Sequence, residues 1–252
     1  MTALAASHGS NADVLVNGNI VSQYLNDWAQ SMSRDKAETS AFKQLFKSYV
    51  AGLADNAITF AGLFDSSNPT AEDPLIYSYL TALTAVDNNW LYAPLGAQGA
   101  SAFGNTAYSV TGISTKYEVK SALNAANAIT AEVQMDQNGG GLDRGQIYVP
   151  WSTQGAGGNS TSIDYGSTST ANGGVLIVHT FSDTASLVVN LQDSADNSTF
   201  ANVTGYTLSP TNATIAAYRY PAAGVTPTGT VRRYTRITWT GTGTFLAMFA
   251  RK

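Results

Sequence analysis

The sequence predicts a mainly β protein with a single flanking helix, and three observations carry that expectation. Apolar and polar residues alternate at period two over many short stretches, as they do along strands with one buried face. The clearest case sets Ile58, Phe60, Gly62 and Phe64 against Thr59, Ala61, Leu63 and Asp65. Clusters of Gly, Ser, Thr and Asn punctuate these stretches as turns do. Only one segment, 74–90, repeats its apolar residues near helical spacing.

The elements follow in order. Residues 1–12 read as a flexible polar arm. Val14–Val16 opens a first strand, and Asn17-Gly18-Asn19 turns the chain because Gly and Asn tolerate positive φ. Ser22 is placed to cap a helical turn over Gln23–Asn26. A long strand, a bridging loop and the strand around Ile58–Phe64 complete the block 13–65. Phe42, Leu45, Phe46, Tyr49, Val50 and Leu53 have no obvious place in an alternating ladder. Such a segment must be buried against something, and a neighbouring subunit is a candidate beside an intrachain satellite core. Asp73 can cap a helix over Pro74–Trp90, with Pro74 at its first position, where the missing N–H is harmless. Ala107–Ser114, Lys116–Leu123 and Ile129–Met135 read as antiparallel hairpin strands. Gly139–Gly141 reads as a mobile hairpin tip before the strand Gln146–Val149. Residues 152–174, rich in Ser, Gly, Thr and Asn, read as a linker or long loop. Six short strands over 175–252 then suggest a separate C-terminal β module, immunoglobulin-like or jelly-roll-like.

Composition narrows the function. Charged residues make up 12% of the chain, about half the roughly 25% usual in soluble proteins. Solubility normally rests on interspersed charge, so this surface suits a subunit covered in an assembly; a secreted or structural β protein is the other reading. Residues 1–150 hold 13 acids and 7 bases, and 151–252 hold 4 acids and 6 bases. An acidic first part lacks the basic footprint of a nucleic-acid binder. There is no cysteine, hence no disulfide framework or zinc thiolate. The N-terminus MTALAASHGSNA has neither the basic start nor the apolar run of a signal peptide, and no stretch is long and apolar enough to span a membrane.

The search for chemistry returns little. His8 lies in the arm, and His179 shares a strand face with Val175, Ile177 and Phe181, so it reads as a satisfied strand histidine. No G-x-S-x-G elbow accompanies it, and Gly139–Gly145 lacks the lysine of a phosphate loop. Asp193, Asp196 and Asn197 lack the spacing of an EF-hand and read as a turn. Glu72 and Asp73 read as acids at a helix start. Arg232, Arg233 and Arg236 form a short basic cluster on a strand face or an interface. Neither an active site nor a cofactor or metal site is expected.

The opening block carries a resemblance. Val14-Leu15-Val16-Asn17-Gly18, Val21-Ser22, Tyr24-Leu25-Asn26 and Trp28 match a pattern found in tail tube (major tail) proteins of long-tailed bacteriophages, with Ile20 where an aspartate is common. The passage AGLADNAITFAGLFD resembles the same family. The segments DSADNSTFANV and RRYTRITWTGTGTF resemble a β module appended to phage tail proteins. This resemblance implies a tail-tube-like β-sandwich or barrel over 13–151, self-assembling into hexameric rings that stack into a tube for viral DNA. It implies a non-enzymatic virion protein of the tail, made in the host cytoplasm, whose partners are itself and tape measure, tail tip and terminator proteins. DNA would pass without binding. On this reading Phe42, Leu45, Phe46, Tyr49 and Leu53 are subunit contacts, and Asp35, Glu38, Glu118, Glu132 and Asp136 are candidate acids facing the lumen. The rival expectations are a carbohydrate- or receptor-binding tail module and a head decoration or neck protein.

Overall fold

The computed structural model describes residues 11–39, 46–47, 49–64, 77–78, 88–121, 129–139, 141–166, 169–181, 185–210 and 215–252. The chain is mainly β, with fifteen antiparallel strands among these residues. They are β1 (Asp13–Val16), β2 (Asn19–Ile20), β3 (Leu25–Glu38), β4 (Tyr49–Leu63), β5 (Asn88–Ala93), β6 (Thr106–Ser121), β7 (Ile129–Gln137) and β8 (Asp143–Gln154). There follow β9 (Gly158–Asn159), β10 (Ile163–Asp164), β11 (Gly174–Thr180), β12 (Ala185–Ser194), β13 (Ala201–Leu208), β14 (Ala216–Tyr220) and β15 (Tyr234–Arg251). The chain divides into two compact units: 1–23, 89–110 and 143–252 form the first, and 24–88 and 111–142 the second. This division differs from the expected boundary at 151.

In the first unit, β15 organises two sets of strands. Its first half pairs with β9, β10 and β12, and its second half with β8 and β11. One buried cluster draws on both sets: Leu187, Val189, Leu191, Ile237 and Trp239 meet Tyr148, Leu176, Val178, Phe245 and Phe249. A second cluster joins Leu15, Leu91, Ile147, Ile177, Leu246 and Met248. Residues 246–250 of β15 are therefore buried on both faces, as a strand packed between two apolar clusters must be. The Asn17-Gly18 turn behaves as its residues require: both have positive φ, 47° and 84°, and β1 pairs directly with β2 across them, the two-residue hairpin geometry.

The second unit is a four-stranded antiparallel sheet in the order β3–β4–β7–β6. Its buried face carries Ile58, Phe60, Val133 and Met135, with Trp28 stacked on Phe60 at 5.9 Å between ring centroids.

Four sequence expectations change. The helix proposed over Pro74–Trp90 lies largely outside the described residues; Tyr77 and Ser78 are helical, but Asn88–Trp90 belongs to β5 and pairs with β1. NNWLYA packs apolar groups on both faces of a strand, and such a short run cannot be told from a helix by periodicity. Tyr49, Val50 and Leu53 are ladder residues of β4, with Val50 opposite Ala37; both faces there are exposed, so no alternation marks the strand. The helical turn after Ser22 is a 3-10 turn over Ser22–Tyr24, after which β3 begins at once. Residues 152–174, expected as a linker or loop, hold the end of β8, β9, β10 and bridges from Thr170 to Val231 and from Asn172 to Gly229.

Candidate assembly surface

The chemistry of the first unit is mostly internal pairing. Arg232 donates from Nε and Nη2 to Asp193 Oδ1 at 2.8 and 2.6 Å. Arg233 grips Asp164 with two bonds of 2.7 Å. Arg236 donates to Gln192 and lies over the Phe200 ring. The basic cluster is thus consumed by partners and offers no row of free cations for phosphate. Asp196 accepts from the backbone N–H groups of Ser198 and Thr199 and from the Ser194 hydroxyl, which hold its carboxyl well below the usual range. This is turn chemistry. His179 is fully buried; its Nδ1 accepts from the Gly18 N–H at 3.1 Å, and burial pushes its pKa down to about 3, leaving a neutral ring. Among the described residues no group of three or more His, Asp or Glu side chains could hold a metal.

The second unit presents a different kind of site. Opposite its apolar face, the registers align Asp27, Ala29, Ser31 and Ser33 of β3 with Asp55, Ala57, Thr59 and Ala61 of β4. Glu132, Gln134 and Asp136 of β7 and Lys116, Glu118 and Lys120 of β6 continue the same face. Five acids stand there against two lysines, a net charge of −3. Glu118 lies directly opposite Glu132, a like-charge pairing that destabilises unless compensated. Lys116 and Lys120 supply the compensation, each touching both carboxylates at 2.5–3.4 Å. Hydrogen bonds from these lysines lower the pKa of both glutamates.

The sheet also has open edges. Among the described residues β3 pairs only with β4, and β6 beyond Gly112 pairs only with β7. β3 has 14 residues, against five or six in a typical strand. An exposed edge of that length is a template for pairing with another chain. The charged edge residues Arg34, Asp35, Lys36 and Glu38, beside a bulge in β4 at 52–53, restrict which partner can use it, since edge charges and bulges discourage indiscriminate pairing.

The predicted site residues fall into distinct places. Phe46 and Leu53 project into solvent, 85% and 84% exposed, with Tyr49, Val50 and Met32 also exposed. Phe42 and Leu45 lie outside the described residues. Glu118, Glu132 and Asp136 share the polar face just described. Asp35 falls outside the paired positions, opposite a bulge where β4 carries an extra residue at 52–53, and Glu38 takes the other parity of β3 and pairs with Lys47 at 3.1 Å. Sequence reasoning missed Asp27 and Asp55. The alternation around Trp28, Ile58 and Phe60 could have found them, because the acids take the opposite parity.

No family model and no curated protein matches the chain. Solved structures do show likeness. A chain in the virion of a native gene transfer agent particle is 13% identical, with 55% of this chain and 98% of that one covered and a TM-score of 0.41. The tube-terminating cap of the anti-feeding prophage is 8% identical, covering 58% and 95%, with a TM-score of 0.46. The SPP1 Dit protein, described as a hub adsorption apparatus of phages infecting Gram-positive bacteria, is 9% identical, covering 96% and 99%, with a TM-score of 0.38. The solved structures to which this chain is similar are thus tail, tube and hub components.

Proposed function

We propose that this chain is a non-enzymatic structural subunit of a phage tail, polymerising through stacked hexameric rings into the tail tube. The observation that carries the proposal is the second unit's sheet: long strands, two unpaired edges, one apolar face and one polar face of net charge −3. The β3 edge of one copy pairs with the β6 edge of the next, and closing the ring in this way removes both open edges of that sheet. The acidic face lines the lumen. Phosphate is repelled there, and with no basic contacts there is no counterion release to favour binding, so DNA passes without sticking. Phe46, Tyr49 and Leu53, with Phe42 and Leu45 beside them in sequence, become subunit or ring contacts that bury what a lone copy exposes. The motif from Val14 to Trp28, which resembles the tail tube family, supports the same reading.

On this reading the second unit builds a ring wall, and the two strand sets of β15 form a sandwich-like module. The arm 1–12 reaches the next ring. Its partners are other copies of itself and the tape measure, tip and terminator proteins of a virion tail, after synthesis in the host cytoplasm. Electron microscopy of the purified protein should show open tubes with a regular axial repeat. A persistent monomer at high concentration, with tail initiators present, overturns the proposal; discrete rings or trimers point to a neck or decoration protein instead.

A further inference from the structure

The sheet of the second unit is longer on one side than on the other. β7 ends at Gln137, while the β3–β4 ladder runs on to Glu38 opposite Tyr49. Residues 33–38 of β3 thus overhang the rest of the sheet, exposed on both faces and held by β4 alone among the described residues. A two-stranded ribbon is marginal in water without a further strand. At the opposite edge, residues 113–121 of β6 pair on one side only among the described residues. Each edge carries an exposed apolar residue on the apolar face: Met32 of β3, 68% exposed, and Val119 of β6, 45% exposed. Asp35 of β3 is exposed and has no ion pair among the described residues, and it shares the parity of the polar face that carries Lys116.

We propose that β3 and β6 of neighbouring copies pair in a shifted antiparallel register that sets Met32 opposite Val119, Arg34 opposite Tyr117 and Asp35 opposite Lys116. This deepens the ring reading above and rests on it. The direction follows from the sheet: alternation along β3–β4–β7–β6 makes its two edge strands antiparallel, and rotation about a ring axis preserves that relation. Only even shifts are allowed, since an odd one would set the apolar face of one copy beside the polar face of the next. Within one copy Asp27 is level with Glu118, and Trp28 with Tyr117, through the registers of β4 and β7. An unshifted seam would therefore place Asp27 directly against Glu118, an unfavourable pairing of like charges. Moving Tyr117 from the level of Trp28 to that of Arg34 is a shift of about six residues, or ~20 Å, in a sheet of four strands ~19 Å wide. The strands then tilt by about 45°, at the upper end of the range in which barrels close. The same shift lays the overhanging part of β3 along β6, buries Met32 against Val119 and brings the Arg34 guanidinium within reach of the Tyr117 ring. Ser31 and Ser33 fall opposite Lys120 and Glu118, so no like charges meet there.

Disulfide trapping tests the register, because the chain has no cysteine of its own. Met32→Cys/Val119→Cys cannot close within one copy. The two positions lie on opposite edges of the sheet, three strand spacings or about 14 Å apart, beyond the ~7 Å limit of a disulfide. The double variant is assembled under reduction, checked for tubes by electron microscopy, oxidised and run on a denaturing gel without reductant. Covalent multimers up to the closed ring are expected, at least tenfold more abundant than from two comparison variants. These are Gln30→Cys/Val119→Cys, which reports the next shorter even shift, and Asp27→Cys/Glu118→Cys, which reports no shift. Arg34→Cys/Tyr117→Cys reads the proposed register again and decides the matter if the first variant does not assemble. Tubes that cross-link best through either comparison pair, or through no pair, overturn the register while the tube reading stands. Failure of the native protein to form tubes overturns both.

Discussion

Arg219 Nη2 donates to Asp143 Oδ2 at 2.8 Å, with both side chains almost excluded from solvent, and Lys252 Nζ meets the other carboxylate oxygen at 2.7 Å. One buried acid thus ties the start of β8 to β14 and to the last residue of the chain. Arg219 is itself held further by donating from Nη1 to the Pro221 carbonyl. Removing one member of a buried pair leaves the other charge uncompensated, which costs about 3–5 kcal/mol. Asp143→Ala should therefore lower the urea midpoint sharply, whereas Glu38→Ala, which breaks the exposed pair with Lys47, should change it by less than about 1 kcal/mol. Equal effects of the two substitutions would contradict this.

His179 makes stability depend on pH. Its folded pKa of about 3 lies below its ordinary 6.5, so the unfolded chain takes up the proton first. The stability it preserves is complete above about pH 6.5 and is lost as pH falls toward 3, with a slope of up to about 1.4 kcal/mol per pH unit from this one group. Urea titrations at pH 7, 6 and 5 should show that loss in the native protein and a shallower one in His179→Gln, whose amide oxygen can still accept from Gly18.

Gly18 is required by conformation and by space. Its φ is +84°, and a Cβ there would lie 2.4 Å from the Thr180 carbonyl oxygen and 2.8 Å from the Ala216 nitrogen, both backbone atoms. Gly18→Ala is expected to destabilise by more than about 2 kcal/mol, since a strained left-handed residue alone costs about 1–3 kcal/mol. Thermal melting checks this, and a loss within 0.5 kcal/mol would show that the turn relaxes freely.

Phe46 and Leu53 separate assembly from folding. Both are exposed, so Leu53→Asp and Phe46→Asp should leave monomer melting within about 0.5 kcal/mol of the native value. If these residues are subunit contacts, each charge should abolish tubes seen by electron microscopy. Normal tubes from both variants would remove this patch from the interface.

The acidic face makes a prediction about DNA. Replacing both Asp27 and Asp55 with Lys turns a face of five acids and two lysines into three acids and four lysines. Tubes of this variant should retain double-stranded DNA in a salt-sensitive manner, while native tubes release it at every salt concentration in an electrophoretic mobility assay. Retention by the native tubes would place some other face toward the lumen.

The legible parts of the fold are those decided within a few residues. Asn17-Gly18 announces its hairpin because few other residues accept positive φ at both turn positions. Ile58 and Phe60 announce a strand because one face is buried and the other is not. The same logic fails at Tyr49–Leu53, where neither face is buried, and at Asn88–Ala93, where both are. Of the acids read as candidates, Glu118, Glu132 and Asp136 share one polar face with Asp27 and Asp55, while Asp35 stands opposite a bulge of β4 and Glu38 takes the other parity of β3; nothing local reveals this, because only the register brings separate strands together.

The sequence by itself determined the β character, the low charge, the Gly18 turn and the absence of a recognisable catalytic motif, since each depends on residue type and short-range period. Tertiary structure alone decided which acids share a face, which edges stay unpaired and which arginines are consumed. Asp143 and Arg219 are 76 residues apart and meet only through the registers that join β14, β11, β15 and β8. Register is set by the packing of whole strands, and a shift of one residue would turn every side chain to the other face.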